Sequence, residues 1–196
     1  MKGSDTNMNP STTEKNTLAP IVIVSGPPGA GKTTVARKLA EGSAFQRAVH
    51  LHTDDFYTSV RKGFISPWLP EARDQNVVIL EAVTASATRY ASGGYEVMVD
   101  GIIGPWFLDP WLSAIQNEWD VRFVVLRPDQ QTTLARARER KGLGAMVNPE
   151  VVGTMWQHFA DLGRWEQHVL NTTGQSLDET VSDLKLRLSD GLLRLS

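Results

Sequence analysis

This 196-residue chain has a glycine-rich loop between an apolar run and an amphipathic stretch near its N-terminus. The β-branched residues 21–24 predict a buried strand, and residues 33–41 predict a helix. Between them, residues 26–33 read GPPGAGKT and match the pattern G-x-x-x-x-G-K-[ST]. Such glycines let successive backbone N–H groups surround phosphate oxygens, and the helix N-terminus adds partial positive charge. A chance match in a turn is the alternative, but the flanking strand and helix favour a nucleotide site.

Residues 26–33, the phosphate loop, end in two residues with distinct expected roles. Lys32 is expected to reach the β- and γ-phosphates of ATP, and the Thr33 hydroxyl is expected to bind Mg²⁺. ATP and Mg²⁺ are therefore the predicted cofactors. The predicted cofactor-binding residues are Gly26, Pro27, Pro28, Gly29, Ala30, Gly31, Lys32, Thr33 and Thr34.

Short apolar runs alternate with longer amphipathic stretches from residue 20 onwards, which predicts βα units around a mainly parallel sheet. The expected fold is a doubly wound, five-stranded α/β sheet in one domain, residues 20–196. Residues 1–19 are mostly polar and are predicted to form a flexible tail. The predicted strands are 21–24, 48–53, 95–99, 121–126 and 167–171. The predicted helices are 33–41, 71–91, 131–141, 149–162 and 177–195.

Composition excludes several classes of function. The chain has 20 Lys and Arg against 22 Asp and Glu, so it lacks the basic excess of a broad nucleic-acid binder. It has no cysteine, which rules out disulfides, cysteine-ligated zinc and a thiol nucleophile, and favours a cytoplasmic location. No apolar run approaches the ~20 residues of a membrane span, and no signal peptide is apparent. A small-molecule partner is expected, and no nucleic acid or membrane.

Two adjacent acids follow the second predicted strand, where ligand-binding groups of open α/β sheets gather. On an extended segment, Asp54 and Asp55 would point to opposite sides. We assign Asp54 to the inward side, where a carboxylate can take the proton of an acceptor hydroxyl and orient its oxygen for attack. An Asx turn or a helix cap is the alternative role. The position shortly after a phosphate loop favours catalysis.

Together these motifs resemble the small P-loop kinases related to nucleoside monophosphate, shikimate and gluconate kinases, chloramphenicol phosphotransferase and the zeta toxins. The resemblance covers most of residues 20–190 and rests on GPPGAGKTT, Asp54-Asp55-Phe56, VMVDG and a later R-x-x-x-R. Residues 134–162 are similar to the lid and following helix of gluconate kinases, although residues 141–143 read KGL where those kinases have Gly-His. The resemblance implies a nucleotide-kinase-like P-loop NTPase with a small helical lid at about 136–150.

Asp100 closes the third predicted strand in Val97-Met98-Val99-Asp100-Gly101 and matches the Walker B position of this group. A carboxylate there holds Mg²⁺ through water or supports the hydroxyl that does. The alternative is an aspartate that only ends a strand in a turn. We predict Thr33 and Asp100 as the metal-site residues.

Three arginines occupy alternate positions on the third predicted helix, 131–141. Arg136 and Arg140 lie four residues apart and share a face, while Arg138 projects elsewhere. The resemblance puts Arg136 and Arg140 in the places of the lid arginines, where they could clamp the phosphates as the lid closes. A solvated basic face is the alternative. The predicted catalytic residues are Asp54, Lys32, Arg136 and Arg140.

Aromatic residues follow the second and third strands and could line a pocket for a small organic acceptor. Phe56 and Trp106 are the predicted aromatic contacts, and Arg73 is a predicted acceptor contact on the following helix. Packing in the core is the alternative for the tryptophans. The histidines lack metal-ligand spacing and receive no functional assignment; they are His50, His52, His158 and His168.

Three functions remain open from the sequence. The first is an ATP-dependent kinase acting on a hydroxyl of a sugar acid, nucleoside or antibiotic. The second is a nucleoside monophosphate kinase, cytidylate-like, whose acceptor phosphate needs basic residues and no base. The third is a P-loop ATPase switch or nucleotide-binding module. Asp54 favours the first, although Arg61 and Arg73 leave the second open.

Overall fold

The computed structural model describes residues 19–139 and 148–196 and contains a five-stranded, fully parallel sheet. The strands are β1 Ile21–Ser25, β2 Ala48–His52, β3 Glu96–Asp100, β4 Val121–Leu126 and β5 Val169–Leu170. They lie in the order β2-β3-β1-β4-β5, so the central β1 is flanked by β3 and β4. After β1 the chain forms β2 and β3 on one side of it and then crosses over to form β4 and β5 on the other side, which is the doubly wound arrangement. The predicted fold class is confirmed.

Helices cover both faces of the sheet, and β1 supplies alternate side chains to the apolar cluster on each face. The helices are α1 Lys32–Glu41, α2 Thr53–Thr58, α3 Arg73–Ser92, α4 Asp109–Gln116, α5 Gln130–Arg138, α6 Pro149–His158 and α7 Leu177–Ser189. Ile21 and Ile23 pack in one apolar cluster with residues of α3 and α4, while Val22 and Val24 pack in another with residues of α1 and α7. No helix in the described ranges is long and apolar enough to cross a membrane.

The C-terminal helix is shorter than predicted, because the last residues pair with the sheet. α7 ends at Ser189 rather than at residue 195, and Gly191 turns the chain with a φ of 71°. The Phe123 N–H then donates to the Leu193 carbonyl at 2.8 Å, and the Leu195 N–H donates to the Val121 carbonyl at 2.9 Å. Because β5 pairs only with the end of β4, this segment satisfies backbone groups at the start of β4.

Two other helices end earlier than their patterns predict. α6 ends at His158 instead of residue 162, and the Arg127 guanidinium donates to the following carbonyls of Phe159 and Ala160 at 2.8 and 3.1 Å. These bonds satisfy carbonyl groups that the end of the helix leaves without a partner. α5 ends at Arg138. Arg140 and most of the predicted lid, 136–150, lie outside the described residues.

Two short helices were not predicted. α2 includes Asp54 and Asp55 in its first turn, so the expectation that they lie on an extended segment is wrong. On a helix, neighbouring side chains project about 100° apart and not to opposite sides. α4 follows a 3₁₀ turn at Pro105–Phe107. Of the predicted tail, 1–19, only Ala19 falls within the described residues, and it is buried.

Gly26 should be far less tolerant of substitution than a glycine in an open turn. A Cβ at Gly26, which has a φ of 139°, would lie 2.2 Å from the Leu126 carbonyl oxygen. Gly174 also has a positive φ, 74°, but nothing lies within 4 Å of its Cβ position. Urea unfolding should give a loss of about 1–2 kcal/mol for Gly174→Ala from the backbone conformation alone. The loss for Gly26→Ala should be larger by about 2 kcal/mol or more. Equal losses would contradict the close approach to β4.

Candidate functional site

The phosphate loop follows β1 at the middle of the sheet, and neighbouring parts of the chain pack against it. Residues 26–30 are buried. A Cβ at Gly29 would lie 2.6 Å from the Thr133 carbonyl oxygen of α5, so α5 contacts the loop there. Gly31 precedes α1 with a φ of 88°, and its Cβ position faces open space. The loop is therefore close to protein at Gly26 and Gly29 and open at Gly31, beside the N-terminus of α1.

Lys32 and Thr33 begin α1 with their side chains at the loop and at β3. The Lys32 ammonium donates to the Pro27 carbonyl at 2.9 Å, and the residue is 5% exposed. The Thr33 hydroxyl donates to Oδ2 of Asp100 at 2.7 Å. Thr34 is exposed. The structure thus brings together Thr33 and Asp100, the two predicted metal-site residues.

Asp100 is fully buried at the end of β3, where its register partners are Val24 of β1 and His52 of β2. Its Oδ1 accepts from His50 Nε2 at 2.5 Å and from His52 Nδ1 at 3.1 Å. Burial opposes ionisation, but the hydrogen bonds from His50, His52 and Thr33 outweigh it and hold the pKa of Asp100 well below its usual value. The buried carboxylate is therefore ionised and held by three side chains.

His52 also reaches Asp54, which completes a group of residues that we call the Asp–His cluster: His50, His52, Asp54 and Asp100. His52 Nε2 lies 3.3 Å from Oδ2 of Asp54. The hydrogen bonds with Asp100 and Asp54 raise the pKa of His52 to about 10. The hydrogen bond from His52 lowers the pKa of Asp54, and the charge of Lys32 lowers it further. Asp54 is consequently ionised, and it lies close enough to Lys32 for that charge to lower its pKa.

The two histidines of the cluster were missed from the sequence. Their signal is the i, i+2 spacing on a strand, which places His50 and His52 on the same face of β2. That spacing becomes informative only once β2 is known to lie beside β3, because the neighbouring strand carries Asp100. A test for metal-ligand spacing along the sequence does not detect histidines that bind a buried carboxylate.

The other predicted site residues lie around this edge of the sheet. Phe56 is half-buried on α2 and packs against the core, and Arg73 is exposed at the start of α3. Trp106 is 39% exposed, and its ring packs edge-on against those of His158 and Phe159. Within 19–139 and 148–196, no hydrogen bond or ion pair joins Phe56, Arg73 or Trp106 to the Asp–His cluster.

Arg136 is half-buried on α5, the helix that contacts the phosphate loop at Gly29. Its charge helps to lower the pKa of Asp129 at the helix N-terminus, after the larger effect of the hydrogen bonds from Thr132. Its position puts a guanidinium on a helix that touches the loop. Its predicted partner Arg140 lies outside the described residues.

The donor atoms beside the loop fit a magnesium ion that takes most of its ligands from phosphates and water. Mg²⁺ prefers oxygen and is usually held by one or two protein groups together with phosphates and water. The Thr33 hydroxyl and the Asp100 carboxylate supply such oxygens, 2.7 Å apart. Among the described residues, no group of three or more His, Asp or Glu side chains forms a metal site made of protein ligands alone. The site therefore suits a metal that arrives with a nucleotide.

The fold and the loop define an α/β P-loop nucleotide-binding domain. A family model described as "AAA domain" matches residues 21–162, and the chain belongs to this family. The matched range includes the phosphate loop, the Asp–His cluster and α5. No curated protein has significant sequence similarity to the chain.

Solved structures with the same fold include several small kinases. A gluconokinase from Sinorhizobium meliloti is 20% identical, with a TM-score of 0.66, over 89% of this chain and 96% of that one. Shikimate kinase from Acinetobacter baumannii, in complex with shikimate, is 22% identical, with a TM-score of 0.58, over 89% and 95%.

The tunicamycin resistance protein of Deinococcus radiodurans is 20% identical, with a TM-score of 0.60, over 91% of this chain and 99% of that one. All three matches extend over almost the full length of both chains. The resemblance to the small P-loop kinase group is therefore confirmed at the level of the fold.

The Asp–His cluster should make stability decrease with pH above neutrality. His52 faces Asp100, Asp54 and the ring of His50, and its pKa is raised from 6.5 to about 10. Between these values the folded protein binds more protons than the unfolded chain, so the free energy of unfolding should fall as pH rises. Urea unfolding from pH 6.5 to 10 in metal-free buffer should give a steeper fall for the wild type than for His52→Asn. Parallel curves would contradict the pairing of His52 with two carboxylates.

Proposed function

We propose that this protein is an ATP-dependent kinase that transfers the γ-phosphoryl group to a hydroxyl of a small molecule. The main support for this proposal is that the phosphate loop, Asp100 and Asp54 lie together at the carboxyl ends of β1, β2 and β3. Thr33 of the loop binds Asp100 directly, and Asp54 is joined to Asp100 through His52. Groups for phosphate, metal and acceptor hydroxyl therefore adjoin one another.

Each residue of this edge has a role in the proposed reaction. The amides of residues 26–33 and the N-terminus of α1 bind phosphate oxygens, and Lys32 exchanges its bond with the Pro27 carbonyl for the β- and γ-phosphates. Thr33 and Asp100 hold Mg²⁺, which neutralises phosphate charge when bound. These are the interactions expected where catalysis depends on positioning and electrostatic stabilisation.

In this proposal the Asp54 carboxylate contacts the acceptor hydroxyl. Because its pKa is lowered, its carboxylate is ionised at neutral pH and can accept a hydrogen bond from the acceptor hydroxyl. As the acceptor oxygen forms its bond to the γ-phosphorus, the bond to the bridging oxygen of ADP breaks and the hydroxyl proton passes to Asp54. An acceptor phosphate would already be ionised, so an ionised aspartate supports a hydroxyl as the acceptor group.

The remaining residues are proposed to close the site and line the acceptor pocket. Arg136 extends from the helix that contacts the loop and, with Arg140, would stabilise charge on the transferred group. Phe56, Trp106 and Arg73 are proposed to contact the acceptor.

A screen of ADP release from MgATP tests the proposed kinase activity. The candidate acceptors are sugar acids, nucleosides, nucleoside monophosphates, amino-sugar nucleotides and chloramphenicol-like compounds. Release above the water background with a hydroxyl acceptor supports it.

Asp54→Asn should lower kcat by about 100-fold or more, because the amide cannot take the hydroxyl proton. The KM for MgATP should change little, since Asp54 lies outside the phosphate loop. Asp55→Asn is the matched control, because Asp55 is the next residue on the same helical turn and is also exposed. Steady-state ADP release with the best acceptor of the screen measures both constants. Equal activity in the two variants would refute the role of Asp54.

A further inference from the structure

His52 lies between two carboxylates that belong to different parts of the proposed site. Its Nδ1 is 3.1 Å from Oδ1 of Asp100, and its Nε2 is 3.3 Å from Oδ2 of Asp54. The Nδ1 atom hydrogen-bonds with Asp100, and the Nε2 atom is in ion-pair contact with Asp54. His52 therefore connects the Asp54 side chain, which is 71% exposed, to the buried side chain of Asp100.

Asp54 needs such a connection if it is to meet an acceptor in a fixed geometry. Its side chain projects from the first turn of α2, a helix of six residues. An exposed side chain samples several rotamers, and holding it in one of them costs entropy. Small errors in the placement of a reacting group lower the rate of transfer strongly. The ion-pair contact with His52 restricts the Asp54 carboxylate through Oδ2 alone.

Asp100 is a rigid anchor for this bond. It has no exposed surface, and β3 is paired on both sides, with β1 and β2. Its other oxygen accepts from the Thr33 hydroxyl, so its carboxylate has one orientation. A side chain held by Asp100 is thus fixed relative to the phosphate loop.

We propose that His52 is a positioning residue, which holds the Asp54 carboxylate where an acceptor hydroxyl meets it by bridging Asp54 to Asp100. The inference rests on the proposed function, because it takes Asp54 to be the group that meets the acceptor. His52 acts through Asp54 and takes no part in the transfer itself.

His50 provides a matched comparison. It lies two residues earlier on β2, and its Nε2 is 2.5 Å from the same Oδ1 of Asp100. In the described part of the chain it has no hydrogen bond with Asp54. His50→Gln and His52→Gln each remove an imidazole from Asp100, but only the second removes the contact with Asp54. A difference between the two variants therefore reports on Asp54.

Kinetics of the full chain test the role of the bridge. ADP release from MgATP is measured for the wild type, His52→Gln and His50→Gln, with water and then with each compound of the screen as acceptor. His52→Gln should lower kcat by about 10- to 100-fold with little change in the KM for MgATP. His50→Gln should lower kcat less. Equal losses, or no loss in His52→Gln while Asp54→Asn is impaired, would overturn the inference and leave the proposed function standing. An unimpaired Asp54→Asn would instead overturn the proposed function.

The bridge can also be tested without turnover. NMR of the full chain with ¹⁵N-labelled histidine assigns the His52 ring resonances as those missing in His52→Gln, and the remaining spectrum reports whether that variant is folded. Asp54→Asn should shift the Nε2 proton resonance of His52, whereas Asp55→Asn should leave it in place. If Asp54→Asn leaves that resonance unchanged, no bridge exists and the inference fails whatever the kinetics give.

Discussion

The carboxylate of Asp100 has no exposed surface and is held by side chains from α1 and β2. A charge with no exposed surface is strongly destabilising unless hydrogen-bonding partners surround it. Thr33 supplies one partner from the first turn of α1, and His50 and His52 supply two from the neighbouring strand. Satisfying one carboxylate thereby joins the phosphate loop, β2 and β3 at the same edge of the sheet, where the groups proposed for phosphate, metal and acceptor adjoin one another.

Charges of opposite sign alternate across this edge. The imidazole of His52 lies between Asp100 and Asp54, and Lys32 is near enough to lower the pKa of Asp54. Such pairing lets two carboxylates stay ionised close to a loop that is proposed to bind a polyanion. The nucleotide would bring further negative charge, which Mg²⁺ on Thr33 and Asp100 and the guanidinium of Arg136 on α5 are suited to offset. Ionised acids and phosphates can then share a small volume.

The fold and the phosphate loop were predictable because their signals are local. The β-branched run before Gly26 and the helix after it locate the loop in the sequence without reference to the rest of the chain. The histidines on β2 could not be found in this way, since their contact with Asp100 depends on the order of the strands. α2 is too short for helical periodicity to reveal, which is why Asp54 was expected on an extended segment. The pairing of Leu193 and Leu195 with β4 likewise depends on an edge that β5 leaves open.

The amides of the phosphate loop are proposed to bind the phosphates of a magnesium nucleotide. Calorimetric titration of the full chain with a non-hydrolysable ATP analogue and Mg²⁺ measures this binding, with Lys32→Ala as the paired variant. Saturable binding at one site per chain is expected for the wild type, and much weaker binding when the lysine is removed. Absence of binding to the wild type, or equal affinity in both proteins, would contradict it.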